Sequence, residues 1–194
     1  MGTSAFAQWL DTVCYGFDLA VLGAVHTAAR SGAGAVLGPL ARLFDLLGEG
    51  GIALILMGLL LLAFPRTRRA GAAVLVALAL GAICTNIFLK PWVGRPRPFD
   101  GGGELIRQWW LECGAVPENG FSFPSGHSTA SMAAMCALVF SGDRRRWGLL
   151  AFPLLMALSR LYLVVHYPTD VLAGLLVGFA AGAGAGSFFR FPDK

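Results

Sequence analysis

An all-α, polytopic membrane domain formed as one unit over residues 1–194 is the fold class this sequence predicts. Three observations lead there. The chain is 56% hydrophobic and only 13% charged, far from the balance of a soluble domain. Its apolar residues fall in runs that approach the roughly 20 helical residues needed to cross a hydrocarbon core about 30 Å thick. Its polar residues collect in short segments between those runs. The same composition excludes disorder, and the N-terminus lacks the basic stretch that opens a secretory signal.

Taken in order, the first run, Tyr15–Ala29, is the weakest because Asp18 and His26 interrupt it. It is retained as a span because it places the N-terminus inside. Leu46–Phe64 and Ala70–Leu89 follow, each long and almost free of charge. Ser128–Ser141 is short unless Ser125 to His127 belong to its first turn. Trp147–Val165 tolerates one charge, Arg160, and a charge at such depth marks a functional residue by default. Val171–Phe189 completes six transmembrane helices. Between the first two, Leu40, Leu43, Phe44 and Leu47 recur at i, i+3, i+4 and i+7, a helical face that could lie on the membrane surface. The Gly/Ala tract Ala180–Gly186 suits close helix packing in lipid. Cys14, Cys84, Cys113 and Cys136 show neither paired nor metal-binding spacing and read as free thiols.

A net charge of +4 could suggest nucleic acid as a partner. The cations, however, sit in clusters between apolar runs, which fits loops flanking membrane spans better. Arg66, Arg68 and Arg69 follow the second span, and Arg144, Arg145 and Arg146 follow the fourth. Both loops, and with them both termini, are expected on the cytoplasmic side. Alternation then puts Lys90–Phe123 and His166–Asp170 on the outer face, together with Asp100, Glu104, Glu112 and Glu118.

Three segments hold nearly all the groups able to do chemistry: Lys90–Pro98 (KPWVGRPRP), Pro124–His127 (PSGH) and Ser159–Asp170 (SRLYLVVHYPTD). Phosphoryl transfer needs the equatorial oxygens neutralised and a nucleophile held in line with the leaving oxygen. Lys90, Arg97 and Arg160 supply three permanent cations, and guanidinium forks can bind oxygens in pairs. Pro91, Pro96 and Pro98 stiffen the first segment. Ser125, Gly126 and His127 open a predicted helix, where unpaired N–H groups and a partial positive charge favour an anion. Ser125 could cap that helix or donate its hydroxyl to a phosphate. His166 and Asp170 lie four apart and share a face if the last helix begins between them. Asp170 could hold one imidazole nitrogen, or simply place negative charge at a helix N-terminus.

In this order and spacing, the three segments resemble the signature of the type 2 phosphatidic acid phosphatase superfamily, over about residues 46–184. That superfamily also contains the vanadium haloperoxidases. The resemblance implies a metal-independent lipid phosphatase without cofactor. His166 would be the nucleophile that becomes phosphohistidine, Asp170 its orienting partner, and His127 the acid that protonates the leaving group and then activates water. Lys90, Arg97, Ser125, Gly126 and Arg160 would hold the phosphate. Many members of the family carry Gly where Val164 stands, a departure expected to affect packing more than chemistry.

The expected partners are a lipid phosphate and the bilayer, with no nucleic acid and no obligatory protein. Undecaprenyl diphosphate is the favoured substrate, beside phosphatidate and phosphatidylglycerol phosphate. A haloperoxidase and a non-catalytic lipid phosphate transporter are the competing readings. Arg95 and Arg107 could each touch a second phosphate or nothing, and His26 reads as packed rather than catalytic. Trp92, Trp109 and Trp110 look like interfacial anchors.

Overall fold

The computed structural model describes residues 3–142 and 144–190, with the side chains of Arg144 and Arg145 outside the described set. The architecture is all-helical. In chain order it comprises α1 (Ala5–Val13), α2 (Tyr15–Arg30), α3 (Gly34–Gly48), α4 (Ile52–Ala63), α5 (Arg68–Ala82), a π-helical stretch Ile83–Leu89, and the short α6 (Lys90–Val93) and α7 (Pro98–Gly101). Then come α8 (Gly103–Glu112), α9 (Gly126–Phe140), a 3-10 stretch Arg144–Leu150, α10 (Ala151–Tyr162) and α11 (Pro168–Phe188).

Among the described residues, three helical stretches are long and apolar enough to cross a membrane: Gly34–Ala63, Arg68–Gly101 and Pro168–Phe188. The α1–α2 pair, bent by 63°, makes a fourth if taken as one span, while Gly126–Phe140 is apolar but shorter. Lipid-facing character is written on the surface, where Leu60, Ile87, Leu176 and Phe188 are all more than 60% exposed. This is a polytopic membrane protein.

Two features depart from the sequence reading. Within the predicted span Leu46–Phe64, Gly50 and Gly51 adopt positive φ of 56° and 69° and separate α3 from α4. An apolar run is blind to that break, because glycine contributes almost nothing to hydropathy while freeing φ. The amphipathic stretch Leu40–Leu47 is also no detached surface helix. It is the C-terminal half of α3, which packs against α10 and carries Asp45 inward onto Arg160.

The core of the bundle is the crossing of α9 and α11. Gly174, Gly178, Gly182 and Gly186 repeat every four residues along α11. A methyl group on any one of them would overlap, in turn, the carbonyl oxygens of Ser125, Thr129, Ala133 and Ala137 on α9. Small residues at that spacing let two backbones touch in a lipid setting. The tract predicted to pack, Ala180–Gly186, is therefore half of a longer stripe. By this contact the start of α9 is fixed beside the start of α11, and Ser125 N–H donates to the Asp170 carbonyl at 3.0 Å.

At the far end, Arg66 and Arg146 line one cavity together with Thr67, Leu138 and Leu149. The two basic loops thus share an end of the bundle.

Candidate active site

His166 lies in the turn between α10 and α11, 2% exposed. Its Nε2 is 3.1 Å from an Arg97 guanidinium nitrogen, and its Nδ1 is 3.4 Å from Ser122 Oγ. Asp170 Oδ2 stands 3.7 Å from Nδ1, just beyond hydrogen-bond length. The hydroxyl of Ser122 donates to that same carboxylate oxygen. Ser122 therefore links imidazole and carboxylate, a bridge that sequence spacing did not disclose. Asp170 Oδ2 also accepts the Tyr167 N–H at 2.9 Å, so the carboxylate is both a helix-terminal charge and the neighbour of the histidine.

Arg97 ties the site's loops together. It donates to the carbonyls of Val165 (3.0 Å), Asn119 (2.9 Å) and Gly120 (3.1 Å), and to Glu118 Oε2 at 3.2 Å. Arg160, fully buried at the end of α10, donates to both Glu118 and Asp45. Lys90 opens α6, directly after the π-helical stretch; its Nζ lies close to Gly126, within electrostatic reach of Arg97, Arg160 and Glu118. The three cations named from sequence thus converge beside His166. Two carboxylates, unforeseen as members of the site, sit on them.

Ser125 is the N-cap of α9: its Oγ accepts from Ser128 N–H at 3.4 Å and sits 3.1 Å from Ser128 Oγ. Capping and phosphate binding are compatible, since accepting these bonds leaves the serine proton to donate. Gly126 gives the backbone room at the same helix end. His127 follows, its Nε2 3.8 Å from Asp45 Oδ1 and without a hydrogen-bond partner among the described residues. Gly48 is required beneath it, because a methyl there would overlap the imidazole.

Burial first, and then the positive charges of Arg97, Arg160 and Lys90, hold the His166 imidazole well below the ordinary histidine range. The site therefore favours the neutral imidazole over the imidazolium, with Arg97 the donor facing its Nε2.

Asp45, Glu118 and His127 bring ligand atoms within 4.8 Å of one another, spacing a divalent ion could use. The chemistry of the set argues otherwise. Both carboxylates are already engaged, Asp45 by Arg160 and Glu118 by Arg160 and Arg97, and with Lys90 nearby the three cations outnumber them, so a dication would have to displace ion pairs already made.

His26 and Arg107, also singled out from the sequence, fall away from this centre. His26 stacks on Trp109 at 5.0 Å and pairs with Glu112 at 2.9 Å, while Arg107 is exposed. Trp110 is stacked on Phe99 and donates to Val116, so of the three indoles only Trp92, 64% exposed, keeps the form of an interfacial anchor. All four cysteines are free. Val164, two residues before His166, has φ of 56°, the left-handed region that favours glycine. Its departure from glycine is a matter of backbone strain, not of packing alone.

Residues 70–191 match the family model described as the PAP2 superfamily. Undecaprenyl-diphosphatase BcrC of Bacillus subtilis (strain 168) is 42% identical over 72 residues, 37% of this chain and 36% of that protein. Decaprenylphosphoryl-5-phosphoribose phosphatase of Mycobacterium tuberculosis (strain ATCC 25618 / H37Rv) is 34% identical over 171 residues, 86% of this chain and 87% of that protein. The chain therefore spans about a third of the length of BcrC and most of the mycobacterial protein. The crystal structure of Aquifex aeolicus LpxE has the same fold, with a TM-score of 0.63 at 22% identity, covering 86% of this chain and 93% of that one.

Proposed function

The chain belongs to the PAP2 superfamily, and on that premise we propose that it is a membrane lipid phosphatase working through a phosphohistidine on His166. The observation that carries this reading is the convergence of Arg97, Arg160 and Lys90 beside a buried, uncharged imidazole. In this proposal the cations take up the equatorial oxygens, with Ser125 O–H and the free N–H groups at the start of α9. His166 Nε2 attacks phosphorus, and its Nδ1–H is held by Ser122, which Asp170 holds in turn. Burial and then Arg160 lower the His127 pKa to about 4, so the proton it passes to the departing lipid oxygen is one it takes from the incoming phosphate monoanion; it then takes another from the water that cleaves the phosphoenzyme. Glu118 and Asp45 bond the guanidiniums that would grip the phosphate, so substrate must displace at least one carboxylate from Arg160.

No step in this scheme needs a metal, and none needs a cofactor. The bundle is read as six crossings, with α9 and α10 as the short ones. The active site faces outward, because the basic cavity at the other end suits the cytoplasm. A lipid whose head is wet and whose tail stays in the bilayer fits a site at the ends of helices.

For the substrate, a polyprenyl-linked phosphate is favoured, with undecaprenyl diphosphate as the leading choice on the outward site and the name of BcrC. A decaprenylphosphoryl sugar phosphate is the second reading, favoured by the near full-length match to the mycobacterial relative. The test is a panel of purified lipids: undecaprenyl diphosphate, decaprenylphosphoryl-5-phosphoribose, phosphatidate and phosphatidylglycerol phosphate. It is run in detergent with chelator present and without added vanadate. Release of phosphate from a polyprenyl lipid at the highest kcat/KM is expected. No release from any of the four, or release only when metal is restored, contradicts the proposal.

A further inference from the structure

Arg95 lies inside the first polar segment but does not face the phosphate cradle. Its side chain is 1% exposed. Nε donates to Asp11 at 2.8 Å, and the terminal nitrogens donate to Asp18 at 2.9 Å, Thr169 Oγ1 at 2.7 Å and Asp170 Oδ1 at 2.6 Å. The guanidinium carbon also rests 3.9 Å from the centre of the Tyr167 ring. Four of its five donors are thus committed. No fork remains for a second phosphate.

The carboxylates reach Arg95 from both sides of a bend. Asp11 is on α1 and Asp18 on α2, and the 63° angle between those helices lets both converge. Ser4 anchors the start of α1 on the carbonyl of Val93, at 2.6 Å, immediately before the segment that carries Arg95. Asp18 further accepts the Thr169 N–H at 3.0 Å and the Thr169 hydroxyl at 2.8 Å. It satisfies, from another helix, a donor that the first turn of α11 leaves open. Both α1 and α2 lie outside residues 70–191, the part that matches the family model.

We infer that Arg95 is a positioning residue, and that α1–α2 belong to the catalytic machinery through the chain Asp18, Arg95, Asp170. Asp170 divides its two oxygens: Oδ1 is held by Arg95, and Oδ2 faces Ser122 and the His166 ring. Fixing Oδ1 sets the angle at which Oδ2 meets that pair. Without Arg95 the carboxylate keeps only its Oδ2 bonds, to Ser122 and the Tyr167 N–H, and can turn about that oxygen, so the aim of the imidazole loosens. The inference rests on His166 being the nucleophile of the proposed reaction.

The test uses the full-length protein in detergent. Arg95→Gln is expected to lower kcat 10- to 100-fold while KM stays within about threefold, and Arg95→Lys to recover part of the loss. The double variant Arg95→Gln with Asp170→Ala should be no slower than Asp170→Ala alone, because both act on one element. Asp18→Asn, nearly isosteric, should reproduce a smaller kcat loss if Arg95→Gln does not fold. A second arm needs no turnover: carbethoxylation of His166 by diethylpyrocarbonate, followed by mass spectrometry, should quicken at least threefold in Arg95→Gln or Asp18→Asn. Unchanged kcat and unchanged modification, or losses that multiply in the double variant, overturn the inference. If the wild-type chain turns over no lipid phosphate, the proposed function fails, and the modification rates still decide the role of Arg95.

Discussion

Ser122 Oγ stands between His166 and Asp170, donating to the carboxylate while lying 3.4 Å from the imidazole Nδ1. The direct separation of 3.7 Å is too long for a good hydrogen bond, so the serine carries the coupling. A buried hydrogen bond to a charged group is worth about 1.5–3 kcal/mol, or roughly 10- to 100-fold in rate. Ser122→Ala is accordingly expected to lose that factor in kcat with little change in KM. Steady-state kinetics on the preferred lipid check this, and an unchanged kcat would return the orienting role to Asp170 alone.

Glu118 bonds both Arg97 and Arg160, and so competes with any phosphate for the same forks. Glu118→Gln should tighten inhibition by inorganic phosphate by about tenfold, equivalent to about 1.4 kcal/mol. In phosphate-free buffer the variant should melt lower than the wild type, because two buried guanidiniums lose a counter-charge. An inhibition constant equal to that of the wild type would show that the carboxylate does not occupy the phosphate position.

The proton balance of His166 fixes a pH dependence. Burial and the neighbouring cations lower its pKa, so protonation, which destroys the nucleophile, is postponed to more acid solution. The acid limb of kcat/KM, which reports the free enzyme, should therefore lie below the ordinary histidine value of about 6.5. In Arg97→Gln one cation is gone and the limb should move toward higher pH. A limb that moved the other way would mean that a different group titrates.

Much of this site was legible in the sequence, and the reason is local spacing. Lys90, Arg97, Ser125, Gly126, His127, Arg160, His166 and Asp170 sit in three short segments whose order and intervals survive folding, and the structure gathers them. Asp18, Asp45, Glu118 and Ser122 were not legible as members, because each meets its partner across a long stretch of chain. Asp18 is 77 residues from Arg95 and Asp45 is 115 from Arg160. In the hydropathy of the first run Asp18 counts only as an interruption; buried against Arg95 and Thr169, it is satisfied. Three of the six expected spans were legible as apolar runs that became membrane-length helices, and a fourth as the bent α1–α2 pair, whereas the break at Gly50 and Gly51 depends on φ, to which hydropathy is indifferent.

Val164 tests the same distinction between backbone and side chain. A β-branched residue at positive φ costs on the order of 1–3 kcal/mol, and its buried side chain returns about 1.5–3 kcal/mol. Val164→Gly should melt within a few degrees of the wild type and keep its activity. Val164→Pro, whose ring forbids positive φ, should lose both. Thermal melts in detergent with matched assays read the difference.

Gly178 on α11 faces the Thr129 carbonyl and Met132 of α9 with no space for a side chain. Gly178→Leu would force the helices apart and separate Ser125 from Asp170. Loss of a monodisperse peak on gel filtration, together with loss of activity, is expected. An intact, active variant would mean that the stripe does not set the crossing.

Rapid quenching of the wild-type enzyme during turnover, with phosphate placement read by mass spectrometry, addresses the phosphohistidine itself. An acid-labile, base-stable phosphate on His166, accumulating further in His127→Ala, is the expected result. Phosphate on another residue, or full turnover by His166→Ala, would contradict it.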